Sequence, residues 1–266
     1  MTTADLLRSS WTLRPVVLLA CAAAIAWHAS TGGLRAGRRT AALLAAVAIL
    51  LLALSSPIDA LAAGYLFSAH MLQHLLLVLV VPALALMALP PPAFAHGGRA
   101  GRAFEAASRW LLRRPVVTWG SGIGAMWLWH AQTLCNAASQ SGAVRGLQSV
   151  SLLAMGAVFY WPLLAPRRPS RMSPLAGMVY LFTACIGCTL LGILITLSPV
   201  EVCPAFLHPQ DGLGVLPLIR DRWGLSAAED QQIGGLLMWV PACAVYLGGI
   251  VAQLGRFYRA DEEGAR

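Results

Sequence analysis

Seven stretches of this chain, near residues 15–30, 40–56, 64–89, 115–133, 146–165, 174–198 and 231–255, are long, apolar and almost free of charge. A helix needs about 20 residues to cross a hydrocarbon core of about 30 Å, and each stretch reaches or approaches that length, the first two being the shortest. Hydrophobic residues make up 58% of the chain and charged residues 11%, against about 25% charged in an ordinary soluble domain. A soluble fold of 266 residues could not hide that much apolar surface, so lipid is the solvent for which the sequence is suited. In lipid no water satisfies bare backbone groups, so each span must be helical. The expectation is an all-α fold: a polytopic transmembrane helical bundle of about seven spans, one integral membrane domain over residues 1–266, with its longest connection at 199–230.

The connections set the orientation. The chain has no lysine, and its arginines divide unevenly between the two sides. Arg8, Arg14, Arg145, Arg220 and Arg222 fall on the side of the N-terminus, and the other fourteen fall on the opposite side. The positive-inside rule then predicts the N-terminus outside and the C-terminus in the cytoplasm. A competing reading takes Arg8, Arg14 and the run Val16 to Ala26 as a signal peptide cleaved after Ala24-Ile25-Ala26, which reverses every later loop. The loops beyond that segment still favour the first orientation by eleven arginines to three, so the segment is taken as a span. The net charge of +8 is accounted for by topology and by contact with anionic lipid headgroups, not by a nucleic-acid surface.

Inside the third span lie two histidines, in Ser68-Ala69-His70-Met71-Leu72-Gln73-His74-Leu75-Leu76. Positions i and i+4 share a helix face, with Cβ atoms about 5 to 6 Å apart, so both imidazoles can reach one metal ion or one polar group. Ionisable groups are expensive to keep in a span, which makes the pair a candidate site. The orientation puts His70 and His74 in the outer half of their span and His130 near the outer end of the next, so His70, His74 and His130 form the candidate metal set. Neutral imidazole suits copper, zinc and iron alike, and haem could take histidines from separate helices as axial ligands. Met71 is a soft donor suited to cuprous copper, but it lies one residue off the His70 direction. Asp59, which follows the second span, and Asp230 and Gln231, which open the seventh, are candidates to support the histidines from behind. Ser226 and Glu229 have capping-box spacing at the start of that span, and Asp230 falls in the first turn, where the helix dipole favours negative charge. The bland reading of Asp230 is a well-capped helix start at the interface.

The remaining polar residues have simpler expectations. His28 reads as an interface residue and His96, after Pro90-Pro91-Pro92, as a solvated loop residue. Tryptophans near the span ends form an aromatic belt. Cys185 and Cys188 have C-x-x-C spacing but lie mid-span, where small buried thiols pack between helices. Cys21 and Cys243 are read the same way. Cys135 and Cys203 are both expected outside, where a disulfide or two free thiols rank ahead of metal ligation. No nucleophile elbow, phosphate loop, zinc-protease motif or catalytic carboxylate pair points to an enzyme.

Two blocks carry a family resemblance. Phe67-Ser68-Ala69-His70-Met71-Leu72-Gln73-His74-Leu75-Leu76, preceded by Ser56-Pro57-Ile58-Asp59, resembles a signature of the Bacillus-type CtaG family of cytochrome c oxidase assembly factors. Asp230-Gln231-Gln232-Ile233-Gly234-Gly235-Leu236-Leu237-Met238-Trp239-Val240-Pro241 resembles that family's second signature. The likeness covers residues from about 40 to 255, and the matched polar positions are Asp59, His70, His74, Asp230 and Gln231. The resemblance implies a multi-pass protein of the bacterial plasma membrane, acting on cytochrome c oxidase subunits at the stage of forming or loading a copper centre. The expected cofactor is therefore copper, held by the outer histidines. A haem-binding redox protein or transporter using the same histidines, and a scaffold that only docks subunits, are the alternatives.

Overall fold

Each of the seven apolar stretches carries a helix in the computed structural model, which describes residues 2–32, 37–90, 98–166, 171–207 and 209–264. Among the described residues there are twelve α-helices and no strand. They are α1 (Thr3–Ser9), α2 (Pro15–Gly32), α3 (Arg38–Ser55), α4 (Pro57–Ala62), α5 (Phe67–Leu75), α6 (Val81–Ala88), α7 (Arg99–Leu112), α8 (Pro115–Trp129), α9 (Gln132–Gln140), α10 (Gly142–Leu164), α11 (Pro174–Leu197) and α12 (Ala227–Gly264). Five segments are long and apolar enough to cross a membrane: α3, the unbroken run Phe67–Ala88 through α5 and α6, α10, α11, and Ala227–Ala260 of α12. The other two expected spans are shorter helices, with an apolar part of Pro15–Thr31 in α2 and 15 residues in α8. His96 and His208 lie outside the described residues.

The helices start where local chemistry allows. Ser56 caps α4 by accepting from the Ile58 amide at 3.1 Å, with Pro57 in the first turn, where its missing N–H leaves nothing unsatisfied. The capping box forms at α12: Glu229 accepts from the Ser226 amide at 2.9 Å, and Ser226 accepts from the Glu229 amide at 3.2 Å.

The bundle is apolar on the outside as well as in its core. On α11, Gly177, Tyr180, Leu181, Ala184, Cys188, Leu191, Gly192 and Ile195 are buried. The opposite face bares Leu175, Val179, Phe182, Ile186 and Leu190, a stripe at helical spacing that only lipid can cover. Small residues bring α11 and α12 together: a Cβ on Gly192 would strike the Trp239 ring, and one on Gly235 would strike Thr196. The run Phe67–Ala88 is the most enclosed span, 61% buried against 22% for α12, so the histidine helix is the middle of the bundle.

That central span is not regular. Between α5 and α6 the backbone widens into a π turn at Leu76–Val80, where the Val81 amide donates to the Leu76 carbonyl five residues back. Pro82 gives the physical reason. It has no N–H to offer the Val78 carbonyl, and its ring crowds that carbonyl, so the helix must open there. Gly156 of α10 accepts the displaced group, since any side chain there would run into the Val78 carbonyl and the Pro82 ring.

One end of the bundle is closed by short elements. The Thr12 amide donates to the Ser55 carbonyl at 3.0 Å, and Leu6 packs with Tyr65, Leu66, Val215, Leu218 and Ile219. Cys135 of α9 is disulfide-bonded to Cys203 in the connection after α11, which decides between the open alternatives for these two residues. At the other end, the 90–115 connection contains α7. It docks on α10 through Phe104, whose ring meets Trp161 edge-on at 5.5 Å, and through Ser108, which accepts from the Trp161 indole at 3.0 Å.

Candidate metal centre

Just under the closed end, the helical repeat of α5 puts His70 and His74 side by side, with ring centroids 4.3 Å apart. His130 ends α8 and brings its ring edge-on to His74 at 5.4 Å. All three are buried, His70 and His74 to 1% exposure, so the three predicted ligands meet in one dry place. Phe206, from the disulfide-tethered connection, lies over His70 at 5.4 Å.

Hydrogen bonds fix how two of the rings present themselves. His70 Nδ1 lies 3.2 Å from the carbonyl of Ala62, one of the free carbonyls at the end of α4. His130 Nδ1 lies 2.6 Å from the carbonyl of Met126. A carbonyl can only accept, so each Nδ1 carries the proton and, in the neutral ring, each Nε2 presents a lone pair. This is the arrangement a metal-binding histidine needs, with one nitrogen oriented by the backbone and the other bare. His70 Nε2 and both nitrogens of His74 have no hydrogen-bond partner within bonding distance, and buried Gln148 approaches His74 from α10. Leaving a buried polar group unsatisfied costs about 1–3 kcal/mol, so the unpaired lone pairs of His70 and His74 are available to an electron-pair acceptor. Among the described residues, no three His, Cys, Asp or Glu side chains converge closely enough to hold a metal ion by themselves. The imidazoles offer neutral nitrogen donors of a kind that copper, zinc and iron all accept, without a closed cage.

The three polar residues placed behind the histidines act on the helix that carries them. Asp230 accepts from the Phe67 amide at 2.6 Å, the Ser68 amide at 3.1 Å and the Ser68 hydroxyl at 2.5 Å. Leu66, at the N-cap of α5, has no side-chain group for these amides, so α12 caps α5 from across the bundle. Asp59 pairs with Arg14 at 2.5 Å and accepts from the Gln73 amide group at 3.0 Å; Gln73 also donates to the Ala53 carbonyl at 2.7 Å. That grip is one residue from His74. Gln231 accepts from the Val202 amide at 2.8 Å and donates to the Val200 carbonyl at 3.1 Å, holding the start of the connection that carries Cys203 and Phe206.

Sequence reasoning passed over Gln73 and Gln148, although a lone glutamine in an apolar run is itself a signal. It set Met71 aside on direction. In the structure the Met71 sulfur lies 3.0 Å from His130 Nε2, because His130 approaches from another helix and the His70 face of α5 is not the only one that matters.

Cys185 and Cys243 face each other between α11 and α12 with sulfurs 2.7 Å apart, and the Cys188 thiol donates to the Met238 carbonyl at 3.2 Å. His28 is buried against Thr40 at 3.3 Å.

No curated protein and no solved structure matches this chain. The family model described as cytochrome c oxidase caa3 assembly factor (Caa3_CtaG) matches residues 17–260, nearly the whole bundle and every residue of the histidine site. The chain therefore belongs to the cytochrome c oxidase caa3 assembly factor family.

Proposed function

We propose that this protein serves cytochrome c oxidase assembly as a copper-holding factor of the plasma membrane, with no enzymatic step of its own. His70 and His74, with help from His130, hold a copper ion transiently beneath the closed end of the bundle and release it to an oxidase subunit. The carrying observation is the bare nitrogen surface: His70 Nε2 and both His74 nitrogens, buried and unpartnered beside one another. Asp230, Asp59 and Gln231 keep that surface in place by gripping α5 and the connection above it. The arginine distribution supports placing this end at the outer face. The Cys135–Cys203 disulfide agrees with it, since disulfides persist on the oxidising side of a membrane.

Metal analysis of the purified full-length protein tests this reading. Wild type should retain copper, and the double variant His70→Ala, His74→Ala should lose it and fail to support oxidase assembly. Copper content unchanged in the double variant would sink the proposal. The optical spectrum of the same sample serves the haem alternative, which requires a Soret band.

A further inference from the structure

We propose that Met71 is a thioether ligand which, with His130 and His74, makes this pocket a site for a cuprous ion. The inference rests on the copper reading above and adds to it a ligand and an oxidation state.

The observation is a facing pair of electron donors. His130 carries its proton on Nδ1, committed to the Met126 carbonyl, so Nε2 of the neutral ring offers only a lone pair. Met71 Sδ, 3.0 Å away, has no hydrogen to give it. Neither atom can satisfy the other, yet both are buried, Met71 to 0% exposure. Metal bonds to imidazole nitrogen are about 2.0 Å and to sulfur about 2.3 Å, so one ion can touch two atoms only 3.0 Å apart. His74 stands edge-on to His130 with ring centroids 5.4 Å apart, and in this proposal its one lone-pair nitrogen turns to the ion as the third donor.

The methionine is held there from behind. A Cβ on Gly234 of α12 would meet the Phe67 ring and come within 3.1 Å of Met71 Cγ, so this glycine lets α12 press the Met71 side chain toward His130. The chemistry of the set then selects the ion. The set is neutral, and its soft thioether favours monovalent copper over zinc or magnesium. Cys135 and Cys203, the cysteines of the closed end, are paired with each other and offer no thiolate in competition.

The full-length protein in detergent, loaded anaerobically with Cu(I), tests the assignment by competition with a chromogenic cuprous chelator. Met71→Leu keeps the volume and should weaken Cu(I) binding by about tenfold or more, while Zn(II) binding stays within about twofold. X-ray absorption at the copper edge should show a sulfur neighbour in wild type that is absent from the variant. Equal Cu(I) affinity in the two proteins, or a wild-type spectrum with nitrogen and oxygen neighbours only, overturns the role of Met71. If the double histidine variant loses copper in that case, the copper-holding function still stands. Wild-type protein that takes up no Cu(I) overturns both. Should the variant not fold, the wild-type spectrum alone decides.

Discussion

Single residues here act at long range through backbone groups. Asp230 is the clearest case, because it touches no imidazole and yet sets where both lie by capping the helix that carries them. A cap supplied by the local sequence would fix the start of α5 relative to α4; a cap supplied by α12 fixes it relative to the bundle. Asp230→Ala removes the acceptor for two amides and a hydroxyl and should cost about 2 kcal/mol or more. The check is a lower unfolding midpoint together with faster hydrogen exchange at the amides of Phe67 and Ser68. Asp59 performs a related task through Gln73, so two carboxylates more than a hundred residues apart grip the same two turns of helix.

At the level of elements, the π turn after α5 is the feature with the most consequence. It rotates α5 relative to α6 compared with an unbroken α-helix, and so decides which face of α5 meets α8. Pro82 opens the turn and Gly156 makes room for it. Gly156→Ala should therefore destabilise the fold by about 1–3 kcal/mol, since the atom it meets is the backbone carbonyl of Val78, which cannot swing aside. A denaturation series on the detergent-solubilised variant measures this, and an unchanged midpoint would show that α10 can back away. At the opposite end, α7 turns its Phe104 and Ser108 to Trp161 and leaves Arg99, Arg102, Arg109 and Arg113 exposed. A charge-rich connection thus becomes a helix lying against the bundle, its basic face available to lipid phosphates.

The whole molecule is a lipid-facing bundle with one closed end, and the disulfide is what ties that closure across 68 residues of sequence. It anchors the connection whose Phe206 ring covers His70. Replacing both Cys135 and Cys203 by serine should cost about 2–4 kcal/mol and make His70 reactive to an imidazole-modifying reagent that does not reach it in wild type. Thiol labelling of the denatured protein gives the covalent check: Cys21, Cys185, Cys188 and Cys243 should label without reductant, and Cys135 and Cys203 only after reduction.

Much of this architecture is written locally and could be read without coordinates. Run length and the absence of charge dictate membrane helices, because backbone groups in lipid have no other way to be satisfied. Helical pitch alone places His70 and His74 on one face, and Ser226 with Glu229 announces the start of α12. What stayed hidden depends on which distant surfaces meet. Asp230 finds Phe67 and Ser68 across more than 160 residues, Cys135 chooses Cys203, and Met71 becomes a neighbour of His130 because the end of α8 reaches α5 there. By itself the sequence determined the solvent, the helices and the shared face of the histidine pair, since these follow from interactions within a few turns. Only the tertiary structure decided how near His130 would stand to the pair, that Phe206 would overlie His70, and that Asp230 would act through the amides of α5, because packing among helices sets those distances.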